Sequence, residues 1–150
     1  MMKTILDKLT RKELISRISL LEKHNKPKWG KMNVYQMLSH CIKYEQMMQG
    51  KVSYKRLLIG YLFGKSALME DFLRDDSPIK KNVPTLKQLK ISKNVGDFEL
   101  DKKKWAELIN DYENLYTKGI VHPFFGKLSI EQIGYLVYKH TDHHLRQFGV

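Results

Sequence analysis

From Ser129 to Gln147 the apolar residues return with a helical period, and no other stretch limits the folds open to this chain as much. Ile133, Leu136 and Val137 recur at the three- and four-residue spacings of one helix face. Ser129-Ile130-Glu131-Gln132 opens the helix as a capping box, with Leu128 and Ile133 as its hydrophobic staple. His140 and His144, four residues apart, continue the same stripe, and Gln147 extends it by one turn. A stripe of this kind is buried, so both imidazoles turn inward with it. Two imidazoles at i and i+4 on one face can chelate a divalent cation. On spacing alone, the bland alternative of two hydrogen-bonded core histidines stays open. Asp142 and Arg146 are placed on the outer face, as an ion pair in solvent.

The rest of the chain supplies helices for that stripe to pack against. Thr10-Arg11-Lys12-Glu13 has the form of a capping box, with Leu9 and Leu14 as staple, and the helix it opens ends near His24-Asn25, before Pro27. His24 lies at that end, on the surface. Trp29 anchors the following turn as a buried side chain. Asn33 caps a second helix running to about Gln49, with Met37, Cys41, Tyr44, Met47 and Met48 as its apolar positions. His40 lies on the margin of that stripe and faces the interior; Glu45 lies off its face. Residues 53–75 are apolar-rich but contain Gly60 and Gly64, which predicts two shorter helical pieces. From Ser77 to Leu100 the periodicity fails, and a loop this long in a compact domain carries a lid or a binding wall. Asp101 caps a further helix carrying Trp105, Leu108, Ile109, Tyr112, Leu115 and Tyr116, ending near Gly119. No strand and no internal repeat is evident.

These elements predict an all-α fold: one domain over residues 1–150, a four-helix bundle with additional short helices and a long loop between the third and later helices. A hydrophobic fraction of 42% is enough for a core without disulfides, and the single cysteine, Cys41, suits a reducing compartment. No apolar run is long enough to span a bilayer and none resembles a leader, so the expected location is cytoplasmic. The net charge of +11 raises the question of nucleic acid. Against it, the lysines are scattered over nearly every segment, and Lys80-Lys81 and Lys102-Lys103-Lys104 are short runs of the solvated kind.

The order of helices and histidines resembles the DinB/YfiT-like superfamily of four-helix bundles. Its members bind a divalent metal through one histidine of the second helix and an HxxxH pair of the last. The matching positions are His40, in Met37-Leu38-Ser39-His40, and His140 with His144. Within that superfamily the chain is most similar to an uncharacterised branch, through Trp29-Gly30-Lys31-Met32, His122-Pro123-Phe124-Phe125-Gly126-Lys127-Leu128 and His143-His144-Leu145-Arg146-Gln147-Phe148-Gly149. The resemblance covers essentially the whole chain. It implies a metal site of His40, His140 and His144, holding Zn or Ni. It also implies a small-molecule substrate, a low-molecular-weight thiol as cosubstrate, and, together with the apolar 57–73 segment, a homodimer.

Three neutral imidazoles leave coordination positions open, where a water or thiol would be acidified. Gln36 and Gln147, one turn from ligands, are candidates to orient an imidazole, and His143 and His122 are candidates for the border of the site. His143 is also a candidate substitute ligand or proton shuttle. There is no HExxH and no inward carboxylate beside the His pair. The expectation is therefore a metal-dependent enzyme relying on a thiol cosubstrate. A non-catalytic metal-binding or assembly module and a basic anion- or nucleic-acid-binding protein stand as its alternatives.

Overall fold

A computed structural model describes residues 2–115, 117 and 119–150. Helix α1 spans Lys8–Ser19. Its N-cap is Asp7, whose carboxylate accepts from the Thr10 amide at 2.7 Å, so the helix starts ahead of the expected capping box at Thr10. The earlier start carries Arg11 into the core, where it donates to the carbonyls of Ile5 and Leu6 at 3.1 and 2.8 Å. Leu9 is left outside, so the expected staple does not form. The helix also stops at Ser19, short of His24, which is exposed as expected.

Helix α2 (Val34–Met48) opens on the expected box: Asn33 accepts from the Gln36 amide at 2.9 Å, and Gln36 accepts from the Asn33 amide at 3.0 Å. Helix α3 (Leu58–Ala67) runs directly into one π-helical turn, Leu68–Phe72, in place of two separate pieces. Its glycines do not break it. They let it lie against the loop at Phe124: a Cβ on Gly60 or on Gly64 would collide with the Phe124 carbonyl oxygen. The rest of α3 stays outside, with Leu58, Tyr61 and Leu62 among the most exposed apolar side chains.

Residues 77–97 are mostly extended, as expected, apart from a short 3-10 turn at Lys87–Leu89 that presses Leu89 into the core. Helix α4 (Phe98–Asn110) begins on Asp97, which accepts from the Leu100 amide at 3.1 Å, not on Asp101. Starting there buries Phe98 against Tyr35. A 3-10 turn, Asp111–Asn114, then replaces the last turns of the predicted helix; Tyr116, assigned to it from the sequence, lies outside the described residues. A two-stranded antiparallel hairpin follows, β1 (Ile120–His122) and β2 (Gly126–Leu128), with His122 opposite Gly126. Strands of three residues are too short to show an alternating pattern, which is why the sequence gives no sign of them. Helix α5 (Ile130–Gln147) opens on the expected Ser129–Gln132 capping box.

Among the described residues there are thus five α-helices and one small hairpin. α1 packs on α4 and α5, and α2 packs on the same two helices. The core they share includes Leu14, Ile18, Met37, Cys41, Trp105 and Val137. Each of these is shielded from water almost completely, so truncating a large one such as Trp105 to alanine costs about 3–5 kcal/mol.

At the level of Asp142, helix α5 has no outer face. α1 covers Asp142, whose carboxylate accepts from Arg17 at 2.8 Å and Arg146 at 2.7 Å, so the expected solvent pair is a buried acceptor between two arginines. Lys139 is covered too, donating to the carbonyls of Asp75 and Ser77 in the long excursion. Among the described residues no helix is long and apolar enough to cross a membrane.

Candidate metal centre

Three helical turns bring the histidines together. His40 sits mid-way along α2; His140 and His144 lie on successive turns of α5. One ring nitrogen from each lies within 4.8 Å of the others. Tetrahedral zinc with nitrogen ligands needs separations of about 3.3 Å, so the widest gap must close by no more than about 1.5 Å, which small side-chain rotations supply.

The hydrogen bonds behind the rings decide which nitrogens face the centre. His40 Nδ1 lies 3.0 Å from the Leu89 carbonyl, which can only accept, so Nδ1 carries the proton and Nε2 a lone pair. His144 Nδ1 donates in the same way to Gln147 Oε1 at 2.8 Å. The Gln147 amide is fixed by its other end, whose Nε2 donates to the Trp29 carbonyl at 2.8 Å. That contact explains the Trp29-Gly30 pair: Gly30 has φ +79°, and a Cβ there would meet Gln147 Nε2 at 2.7 Å. Trp29 itself is half-buried, not a fully buried anchor, and sets its ring edge-on to His143.

His140 is held differently. Its ring stacks on Tyr44 at 3.6 Å, its Nε2 lies 3.0 Å from His40 Nε2, and its Nδ1 is buried without a partner among the described residues. With the His40 lone pair facing it, His140 has two choices. It can put its proton on Nε2 and strand a buried acceptor, or put it on Nδ1 and leave two lone pairs opposed. A cation between the rings removes the opposition. The three residues therefore fit a divalent metal, and together they could hold one.

Electrostatics favour the neutral, ligating form. Burial pushes the pKa of all three rings down, for His140 and His144 well below the ordinary value, and each is lowered further by its imidazole neighbours.

The triad forms the floor of a cavity of about 530 Å³. Its walls come from the long excursion (Ile79, Val83, Pro84, Leu86), from Phe72, and from the hairpin turn (Phe124, Phe125). The excursion thus forms one wall of the cavity. No aspartate or glutamate is among the lining residues.

The other candidates from the sequence divide. Gln147 accepts from His144 Nδ1 and so orients that ring. His143 lines the cavity, edge-on to His144 at 5.1 Å, but stands outside the three-nitrogen cluster. His122 also lines the cavity. Gln36 does not reach the site: its amide is spent on the Asn33 cap and on the Ile91 carbonyl at 3.4 Å.

Tyr44 and the Leu89 and Trp29 carbonyls complete the site. Sequence reasoning misses them as site groups because an apolar-stripe tyrosine and a backbone oxygen carry no motif. Glu45 is also inward, buried among α2, α4 and α5, where the Tyr112 hydroxyl donates to it at 2.6 Å. Burial raises its pKa to about 8, against the lowering effect of its hydrogen bonds. It faces the core and not the cavity.

A family model described as "Protein of unknown function (DUF1569)" matches residues 3–149. The chain belongs to that family. No curated protein and no solved structure matches this DUF1569 member.

Proposed function

We propose that this DUF1569 member is a divalent-metal-dependent enzyme of the DinB/YfiT-like type, acting on a small, largely apolar substrate with a low-molecular-weight thiol. The observation that carries the reading is the convergence of three lone-pair-bearing imidazole nitrogens on the floor of an apolar cavity. The closed set of contacts among α1, α2, α4 and α5 supports a four-helix bundle as the scaffold. Zinc or nickel suits the donor set. A cation held there supplies Lewis acidity, lowering the pKa of a coordinated thiol or water.

The chain's own residues do the rest. Leu89 and Gln147 fix the proton of His40 and of His144 on Nδ1, and Tyr44 holds the plane of His140. His143, edge-on to His144 with ring centroids 5.1 Å apart, lines the cavity beside the triad and is a candidate proton acceptor. The free, fully buried thiol of Cys41 suits a reducing cytoplasm. The exposed apolar face of α3 supports a homodimer. Leu58, Ile59, Tyr61, Leu62 and Phe63 are each more than half exposed on it.

A second reading, a non-catalytic metal-binding or assembly module, is favoured by one observation: no carboxylate lines the cavity to act as general base. A screen of small thiols against electrophilic acceptors separates the two. The enzyme reading expects turnover that disappears with a chelator and returns with added zinc or nickel. Tight metal binding without turnover for any thiol leaves the second reading standing.

A further inference from the structure

His122 ends β1 at the mouth of the hairpin turn, buried, and its ring is locked on every side but one. Nδ1 accepts from two backbone amides, Phe124 at 3.2 Å and Phe125 at 3.1 Å. A nitrogen that accepts carries a lone pair, so the proton is on Nε2. The ring stacks on Phe125 with centroids 4.5 Å apart. Arg56 pins the same turn from behind, donating to the carbonyls of His122 and Phe124 at 3.2 and 3.0 Å. Plane and tautomer are therefore both fixed.

The remaining atom, Nε2–H, has no acceptor among the described residues, and it belongs to a side chain of the cavity wall. Apart from His143, Thr85 and Lys87, the lining between its wall and its floor is mostly apolar. His122 and the three histidines of the triad line this one cavity. A built, neutral, outward-aimed donor in an apolar cavity is how a binding site fixes the orientation of a small ligand.

We propose that His122 is a ligand-binding residue whose Nε2–H donates to an acceptor oxygen of a molecule that presents a neighbouring donor atom to the His40–His140–His144 triad. The ligand class follows: a small molecule with an apolar body, bearing a carbonyl, carboxylate or similar acceptor oxygen besides its metal-seeking atom. The inference rests on reading the triad as a metal site. The rival role for His122 is that of a turn cap only.

Asparagine separates these roles. In His122→Asn the side-chain oxygen can accept from the amides two and three residues on, as Nδ1 does, while the reach of Nε2 is lost. The probe is benzohydroxamate, a phenyl ring carrying two adjacent oxygens, titrated calorimetrically into zinc-loaded protein after zinc content has been measured. The expected result is unchanged zinc content and thermal midpoint in His122→Asn, with benzohydroxamate about tenfold weaker than in the wild type. Equal affinity in the two proteins, or no binding by the zinc-loaded wild type, overturns the proposal. A wild type that takes up no zinc overturns the metal reading beneath it, and this is seen before any probe is added.

A second measurement does not depend on the variant folding. In wild-type protein with isotope-labelled histidine, the His122 Nε2–H resonance should move downfield when the probe binds. A proton found on Nδ1, or a resonance that does not move, contradicts the assignment.

Discussion

The Nε2 atoms of His40 and His140 face each other at 3.0 Å across the gap between α2 and α5. Because the Leu89 carbonyl holds the His40 proton on Nδ1, that approach brings at least one bare lone pair to the centre. The other ring has no second partner to settle its own proton. Tautomer, burial and position all suit a shared cation, and each can be perturbed separately.

Gln147 is the residue to perturb first. Gln147→Ala removes the acceptor that orients His144 and leaves its Nδ1–H without a partner. Zinc affinity, measured by competition with a chromophoric chelator, should fall by about 10- to 100-fold while the helical circular dichroism is retained. Unchanged affinity would reduce Gln147 to a tie for the Trp29 turn.

Glu45 makes a prediction about pH. Its folded pKa of about 8 lies above the ordinary carboxyl value of 4.5, so between these values the folded state holds a proton that the unfolded state has lost. Stability from this group is present below the lower value and is lost as pH rises towards the upper one. His122 has the opposite sign: its pKa falls from 6.5 to about 4, so its contribution is present above the higher value and is lost as pH falls through that interval. The triad histidines act in the same direction as His122. Metal-free protein should therefore be most stable near pH 6.5, where the histidine contributions are complete, and should lose stability from there to about pH 8, beyond which Glu45 adds no further change. Glu45→Gln keeps an acceptor for Tyr112 but cannot ionise. It should abolish the fall in thermal midpoint between these values, and an unchanged fall would show that Glu45 is already ionised in the folded protein.

What the sequence disclosed, and what it hid, follows from the range of each interaction. The HxxxH pair on α5 and the placement of His40 on α2 are local helix geometry, so they were legible. Gln147 was legible as a neighbour one turn from His144 for the same reason. Gln36 has the same spacing from His40, yet its amide was claimed by a cap; spacing could not choose between two local partners. Asp142 was misplaced because helix periodicity says which face an amino acid is on but not that α1 covers that face. The Leu89 carbonyl and the wall at Ile79 to Leu86 depend on contacts between distant segments and leave no periodic trace, and the three-residue strands of the hairpin are too short to show one. Asp7 and Asp97 outcompeted the expected caps because several good capping residues stood within one turn, and packing at Arg11 and Phe98 selected between them.

The packing of α3 rests on two absent methyl groups. Gly64→Ala places a Cβ against the Phe124 carbonyl oxygen, a backbone atom that cannot rotate away. Urea unfolding should reveal a loss of about 1–3 kcal/mol. A neutral result would mean that α3 is free to lift off the hairpin turn.

The outer face of the same helix tests the assembly. Light scattering behind size exclusion should give the wild type twice the 17.8 kDa of the chain. Leu62→Lys, at a side chain that is 77% exposed, should return it to the single-chain mass without lowering its thermal midpoint below that of a wild-type monomer. A wild type that runs as a monomer at high micromolar concentration contradicts the dimer.

The most direct test is the metal content of protein purified without a histidine tag, before and after addition of zinc or nickel. The account predicts close to one equivalent of a transition metal per chain for the wild type, lost in His144→Ala while helicity is retained. Wild-type protein carrying less than about a tenth of an equivalent, and taking up none on addition, would contradict it.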